Sequence, residues 1–260
     1  MDLDLDEGWQ ISSAGGSTGS AFMGTRASQK IFLKRNPSPF LAALSAEGIT
    51  PKLIWTKRVA SGDVFTAQDW INGRTLTADE MAGPEVAHLL HRVHSSTTLQ
   101  AILRQVDGRI LQPRQLLDNY LINLPGTLYA HPFLKHVIND LQQRLAFINL
   151  DEVTVTHGDL NHKNWLLSDS HRLYLVDWDQ AIFADPMYDV SFILFNYIPQ
   201  ANWHDWLAMY GMHWSDAIAQ RINWYGSIVF LNMIKEQYHQ QRFTSMNHYI
   251  IQLQQILNNK

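Results

Sequence analysis

Apolar and polar positions keep two different rhythms along this chain. In the N-terminal segment the apolar residues come in short alternating runs, the period of half-buried β-strands. Such runs are Trp9 to Ser12, Ala21 to Gly24, Lys30 to Lys34 and Val64 to Gln68. In the third run Ile31 and Leu33 share one face of the strand, and Phe32 and Lys34 share the other. The first two runs are joined by Ala14-Gly15-Gly16-Ser17-Thr18-Gly19-Ser20, which predicts a hairpin with a flexible tip. Phe40 to Glu47 reads as a short helix ended by Gly48. Farther on the period becomes helical, with Val86, Leu89, Leu90 and Val93 on one face. Helices are also predicted through Trp203 to Tyr210, Asp216 to Gln240 and Met246 to Leu257. The pattern therefore predicts an α+β chain, with a small strand-rich lobe over residues 1–72 and a larger, mostly helical lobe over 73–260.

Two strand-like stretches interrupt the helical part, and each ends on candidate chemistry. Val153 to Thr156 runs into His157-Gly158-Asp159-Leu160-Asn161-His162-Lys163-Asn164. Leu173 to Val176 runs into Asp177-Trp178-Asp179. Phosphoryl transfer needs a carboxylate to orient or deprotonate the accepting hydroxyl, and hard oxygen ligands to hold Mg2+ across the phosphates. Asp159 fits the first role, and Asn164 and Asp177 fit the second. Asp159 and Asn164 are five positions apart, so one loop carries both. His157 suits loop orientation rather than metal binding, because Mg2+ prefers oxygen. Asp189 heads the apolar run Val190 to Phe195, which reads as a buried helix, and a carboxylate there needs partners. Backbone N–H groups of the 157–164 loop are the expected ones, with a plain helix cap as the alternative.

A nucleotide site is expected upstream. Gly15, Gly16, Ser17 and Gly19 could bring backbone N–H groups close to phosphates, although the spacing is not that of a Walker A loop. Lys34 ends an apolar strand, where kinases keep the lysine that holds the α- and β-phosphates, with Lys30 and Arg35 as rivals. Glu47 is the only acidic residue between Lys34 and Asp63, and so is the expected ion-pair partner of Lys34. Backbone around Asp69, Trp70 and Ile71 would receive the adenine. The segment after Asp177 is too short for an activation segment, and no Ala-Pro-Glu follows, so the expected acceptor is a small molecule. His88, His91 and His94 are three apart on one helix, but that spacing drifts around the axis and favours polar-face or packing histidines over a metal site.

Composition removes several classes of function. The chain has 260 residues, a net charge of −4 and no cysteine. Disulfides, thiolate metal sites and cysteine nucleophiles are excluded. The charge gives no strong pull on nucleic acid. The acidic start, Met1 to Glu7, has no signal-peptide character, and no run approaches the ~18 apolar residues of a membrane span. A cytoplasmic location is the expectation.

His157-Gly158-Asp159 with Asn164, Asp177-Trp178-Asp179 and Asp185-Pro186 with Asp189 resemble the aminoglycoside phosphotransferase/choline kinase superfamily. That resemblance spans nearly the whole chain and implies a protein-kinase-like fold of two lobes, ATP and Mg2+ as cofactors, and a hydroxyl acceptor. It implies Asp159 as base, Asn164 and Asp177 as Mg2+ ligands, His157 as loop support and Lys34 as phosphate holder. Ala21 to Gly24, Ile49 to Trp55 and Leu173 to Asp179 further resemble the YtmP-like phosphotransferases of Gram-positive bacteria. This second likeness implies action on the 5-hydroxyl of ribose, 2-deoxyribose or a nucleoside. It also implies a role in coupling division to chromosome replication, with a tubulin-like division protein as partner and recruitment to the division site. A choline-, ethanolamine- or aminoglycoside-type kinase, or a regulatory scaffold of kinase fold, are the alternatives.

Overall fold

The computed structural model describes residues 8–14, 19–148, 150 and 152–258. The chain forms two compact units. The first takes residues 1–77, 96–107 and 161–180, and the second takes 78–95, 108–160 and 181–260.

In chain order the N-terminal elements are β1 (Gln10–Ser13), β2 (Ala21–Arg26), β3 (Gln29–Arg35), α1 (Leu41–Ala46), β4 (Leu53–Arg58), β5 (Val64–Asp69) and β6 (Gly73–Thr75). Helices α2 (Pro84–Ser95), α3 (Thr97–Val106), α4 (Pro113–Leu121), α5 (Gly126–Ala130) and α6 (Pro132–Arg144) follow. Four short strands come next: β7 (Thr154–Thr156), β8 (Trp165–Ser168), β9 (Leu173–Leu175) and β10 (Ile182–Ala184). The chain closes on α7 (Met187–Tyr197), α8 (Trp203–Tyr210), α9 (Asp216–His239) and α10 (Phe243–Asn258).

The first unit is built on a five-stranded sheet in the order β1-β2-β3-β5-β4. Neighbouring strands run antiparallel, with Met23 opposite Phe32 and Leu33 opposite Ala67. Alternation along β3 sorts its side chains as the sequence pattern requires. Ile31 and Leu33 are buried with Phe65 and Ala67, and Trp9, Ile11, Phe22 and Trp55 pack against them. A second sheet, β6-β8-β9, brings 73–75 beside 165–168. Gly73 is needed there, because a Cβ would collide with the carbonyl of Leu167. The amide of Val176 donates to the carbonyl of Asn164 at 2.9 Å, which ties the ends of the two loops that follow β7 and β9.

In the second unit β7 and β10 pair as a two-stranded antiparallel sheet, and α2 packs against β7. Helix α7 is buried on almost every side, and Gly226 of α9 lies directly against the ring of Phe195. Among the described residues no helix is long and apolar enough to cross a membrane.

Candidate active site

The first unit holds a cavity of about 560 Å3. Its lining includes Lys34, Asp69, Trp70, Ile71, Asn164 and Asp177. Lys34 and Asp177, 143 positions apart, therefore face one space, because β3, β5 and the β8-β9 hairpin all border it. Gly15, Gly16 and Ser17 lie outside the described residues. Gly19 has φ +61 and is not part of the lining, whereas Ala14 and Ser20 at the two ends of that loop are.

Lys34 projects from the face of β3 opposite Leu33. Its ammonium lies 2.9 Å from Asp177 Oδ1 and 2.8 Å from Asp179 Oδ1. Burial alone would lower the Lys34 pKa, but hydrogen bonds to Asp179 and Asp177 outweigh it and hold the pKa above its ordinary value. The lysine is thus a fixed cation in the cavity. The expected Lys34–Glu47 pair is not formed, which corrects the sequence reading. Glu47 follows α1 as its C-cap, and its Oε1 accepts from Ser96 Oγ at 2.6 Å. Ser96 Oγ in turn accepts from the amide of Leu99 at the start of α3. Helix α1 is only six residues long, and this commits its terminal carboxylate to α3 rather than to the cavity.

Asp177 sits at φ +65, in the left-handed region that Asp tolerates better than most residues. The backbone reverses there into the short turn Trp178–Gln180. Trp178 anchors the turn from below. It is buried, donates from Nε1 to the carbonyl of Leu175 at 2.8 Å, and meets Phe40 edge-on at 6.1 Å between ring centroids. An anchored tryptophan between two carboxylates presents both to one cation. Sequence reasoning assigned no role to Asp179; the Asp-x-Asp spacing was the available signal.

The second unit carries Asp159 and His157. Strand β7 delivers the chain into Gly158, at φ +81, where a residue without Cβ is under no strain. Asp189, near the start of α7 and 1% exposed, accepts from the amides of His157 at 2.7 Å and Gly158 at 3.0 Å. These are the loop amides expected as its partners. His157 is fully buried, and its Nδ1 accepts from the amide of Asp159 at 3.2 Å, which leaves Nε2 to carry the ring proton in a neutral imidazole. The loop is held further back as well. His94 Nε2 lies 3.1 Å from Asp189 Oδ2, and His94 Nδ1 lies 2.7 Å from the hydroxyl of Tyr210. Helices α2, α7 and α8 thereby meet in one buried polar chain that ends on the backbone before Asp159. Tyr188 is pushed up to about 12 by burial and by the charges of Asp189 and Asp159, so it stays neutral beside them. Asp185, also buried, is paired with Arg221 and accepts from the amide of Met187. His88 and His91 are exposed, as polar-face histidines should be, whereas His94 is buried.

Residues 16–225 match the model of the phosphotransferase enzyme family (APH). The crystal structure of choline kinase LicA from Streptococcus pneumoniae aligns with a TM-score of 0.65 at 17% identity, over 96% of this chain and 95% of that one. The GDP complex of aminoglycoside 2'-phosphotransferase-IIIa aligns with a TM-score of 0.68 at 16% identity, over 98% and 95%. Spectinomycin phosphotransferase APH(9)-Ia, solved with ADP and spectinomycin, aligns at 0.62 and 16% identity, over 93% and 88%. These likenesses establish the kinase-like fold. The family model covers most of the chain, and the chain belongs to the phosphotransferase enzyme family.

Proposed function

We propose that this member of the phosphotransferase enzyme family moves the γ-phosphoryl group of ATP to the hydroxyl of a small molecule. The observation that carries this reading is the meeting of Lys34, Asn164 and Asp177 with the backbone of Asp69 to Ile71 in one cavity. Adenine would bond to that backbone, and Lys34 would hold the phosphates. Asn164 and Asp177 offer only oxygen donors, which suits Mg2+, an ion that takes one or two carboxylates and completes its shell with phosphate and water. When bound there, Mg2+ would neutralise charge on the phosphates. Asp159 is the proposed base: its carboxylate would accept the hydroxyl proton while His157 and Asp189 fix the backbone around it. In this reading residues 1–72 and 73–260 are the two lobes of one kinase-like enzyme, acting in the cytoplasm.

For the acceptor we propose the 5-hydroxyl of ribose, 2-deoxyribose or a nucleoside. Support comes from the segments Ala21 to Gly24, Ile49 to Trp55 and Leu173 to Asp179, which resemble the YtmP-like phosphotransferases typified by the cell cycle regulator CcrZ. The same resemblance supports a role in coupling division to replication, through contact with a tubulin-like division protein at the division site. The test is a screen of sugars, nucleosides, amino-alcohols and aminoglycosides for acceptor-dependent ADP release with Mg-ATP. Release with ribose-type acceptors supports the reading. Release with amino-alcohols or aminoglycosides alone moves the acceptor class, and release with none of them overturns the proposal.

A further inference from the structure

We propose that Asp179 is the positioning residue for Lys34, doing in this chain what Glu47 was expected to do. The inference rests on reading the cavity as a nucleotide site. Three observations carry it. First, Glu47 is committed elsewhere: its carboxylate accepts from Ser96, whose hydroxyl caps α3. Second, the Lys34 ammonium is shared by two carboxylates at nearly equal distances, 2.9 Å to Asp177 and 2.8 Å to Asp179. An ammonium has three N–H donors, so two are engaged and one is left for a phosphate oxygen. Third, the two carboxylates have different prospects. Asp177 is the proposed Mg2+ ligand, and a carboxylate oxygen taken up by a dication is a poor acceptor for an ammonium. For Asp179 the proposed function names no metal, and among the described residues its one ion pair is with Lys34. It is the anion that can keep Lys34 aimed into the cavity when nucleotide and metal are both present.

The turn that carries Asp179 is built for this. Trp178 is buried against Phe40 and bonded to Leu175, so the position of the next residue is set from beneath rather than by the exposed carboxylate itself. The pair is also local to one unit: β3 supplies the lysine, and the turn after β9 supplies the acid. A kinase-like site can thus dispense with a carboxylate from the short helix α1, because the strand-end turn already provides one.

The experiment measures ADP affinity by calorimetry, in Mg2+ and again in EDTA, for the parent, Asp179→Asn, Glu47→Gln, Lys34→Met and the double variant Lys34→Met/Asp179→Asn. Thermal melts confirm that each is folded. Asp179→Asn should weaken ADP about tenfold, the scale of losing a charged hydrogen-bond partner. The loss should persist in EDTA, because it acts through the lysine. It should vanish in the Lys34→Met background, and Glu47→Gln should bind ADP as the parent does. Normal affinity in Asp179→Asn, an equal loss without Lys34, or a loss seen only with Mg2+ would each overturn the assignment, the last by making Asp179 a metal ligand. A parent that binds no ADP would overturn the nucleotide reading itself. A defect confined to Asp179→Asn leaves that reading standing and supports the role of Asp179.

Discussion

Asp159 and Asp177 are both carboxylates after short strands, yet their surroundings differ, and so do the tasks proposed for them. Asp159 follows a loop whose amides are taken by Asp189 and whose histidine is buried, so its backbone is held while its carboxylate remains half-exposed. Asp159→Asn keeps that backbone and, on the proposed function, removes only the proposed proton acceptor. Turnover should fall about 10²-fold or more, with nucleotide affinity unchanged, as steady-state kinetics beside calorimetry would show. Near-normal turnover would remove Asp159 from the mechanism. Asp177 instead faces a lysine across the cavity. Asp177→Ala should abolish most of the Mg2+ dependence of ATP binding, while Lys34 retains Asp179 as partner. Calorimetric titrations at several Mg2+ concentrations test this, and an unchanged Mg2+ linkage would show that Asp177 is no ligand.

Individual elements are joined by contacts with measurable costs. Helices α7 and α9 approach so closely at Gly226 that a Cβ would enter the ring of Phe195, itself stacked on Trp203 and set edge-on to Phe230. Gly226→Ala would gain about 1 kcal/mol of helix propensity and lose about 1–3 kcal/mol to overpacking. Because Phe195 is 2% exposed and has nowhere to move, overpacking wins, and a lowered melting temperature is the expected result. A raised one would mean that the helices separate freely. At the junction of α2, α7 and α8, Tyr210→Phe removes the hydroxyl bonded to His94. It leaves a buried ring nitrogen without that partner, at about 1–3 kcal/mol in chemical denaturation. If the polar chain steadies the loop before Asp159, kcat should fall more than the acceptor KM rises. A stability loss with unchanged kcat would limit the chain to a packing role.

For the molecule as a whole, burial of tyrosine sets an alkaline limit. Tyr120, Tyr188, Tyr210 and Tyr225 all have pKa values raised above 10.0, each mainly by burial, with Tyr188 at about 12. A raised folded-state pKa means that the native state binds more protons than the unfolded chain above pH 10. Stability is then fully present below pH 10 and is lost as pH rises toward the folded pKa values. Lys34, also raised, acts in the same direction. Melting temperatures should be level between about pH 8 and pH 9 and drop steeply toward about pH 11. A flat profile across that range would show that these hydroxyls are not buried in solution.

By itself the sequence determined the local periods and the chemistry-bearing loops. Alternation placed Ile31 and Leu33 in the core and Phe32 with Lys34 on the cavity face, since a strand leaves no other choice. An aspartate entering an apolar helix had to find buried donors, and Asp189 found the amides of His157 and Gly158. Tertiary structure alone decided the pairings. Which acid meets Lys34 depends on where α1 ends relative to β3 and on a turn fixed by Trp178, and no spacing encodes either. Likewise His94 has the same helical spacing as the exposed His88 and His91, but only the packing of α7 and α8 against α2 puts Asp189 and Tyr210 at its two nitrogens. Periodicity is a property of neighbouring residues and is written in the chain. An ion pair between residues 34 and 179 belongs to the packing, because it exists only after distant elements have been brought together.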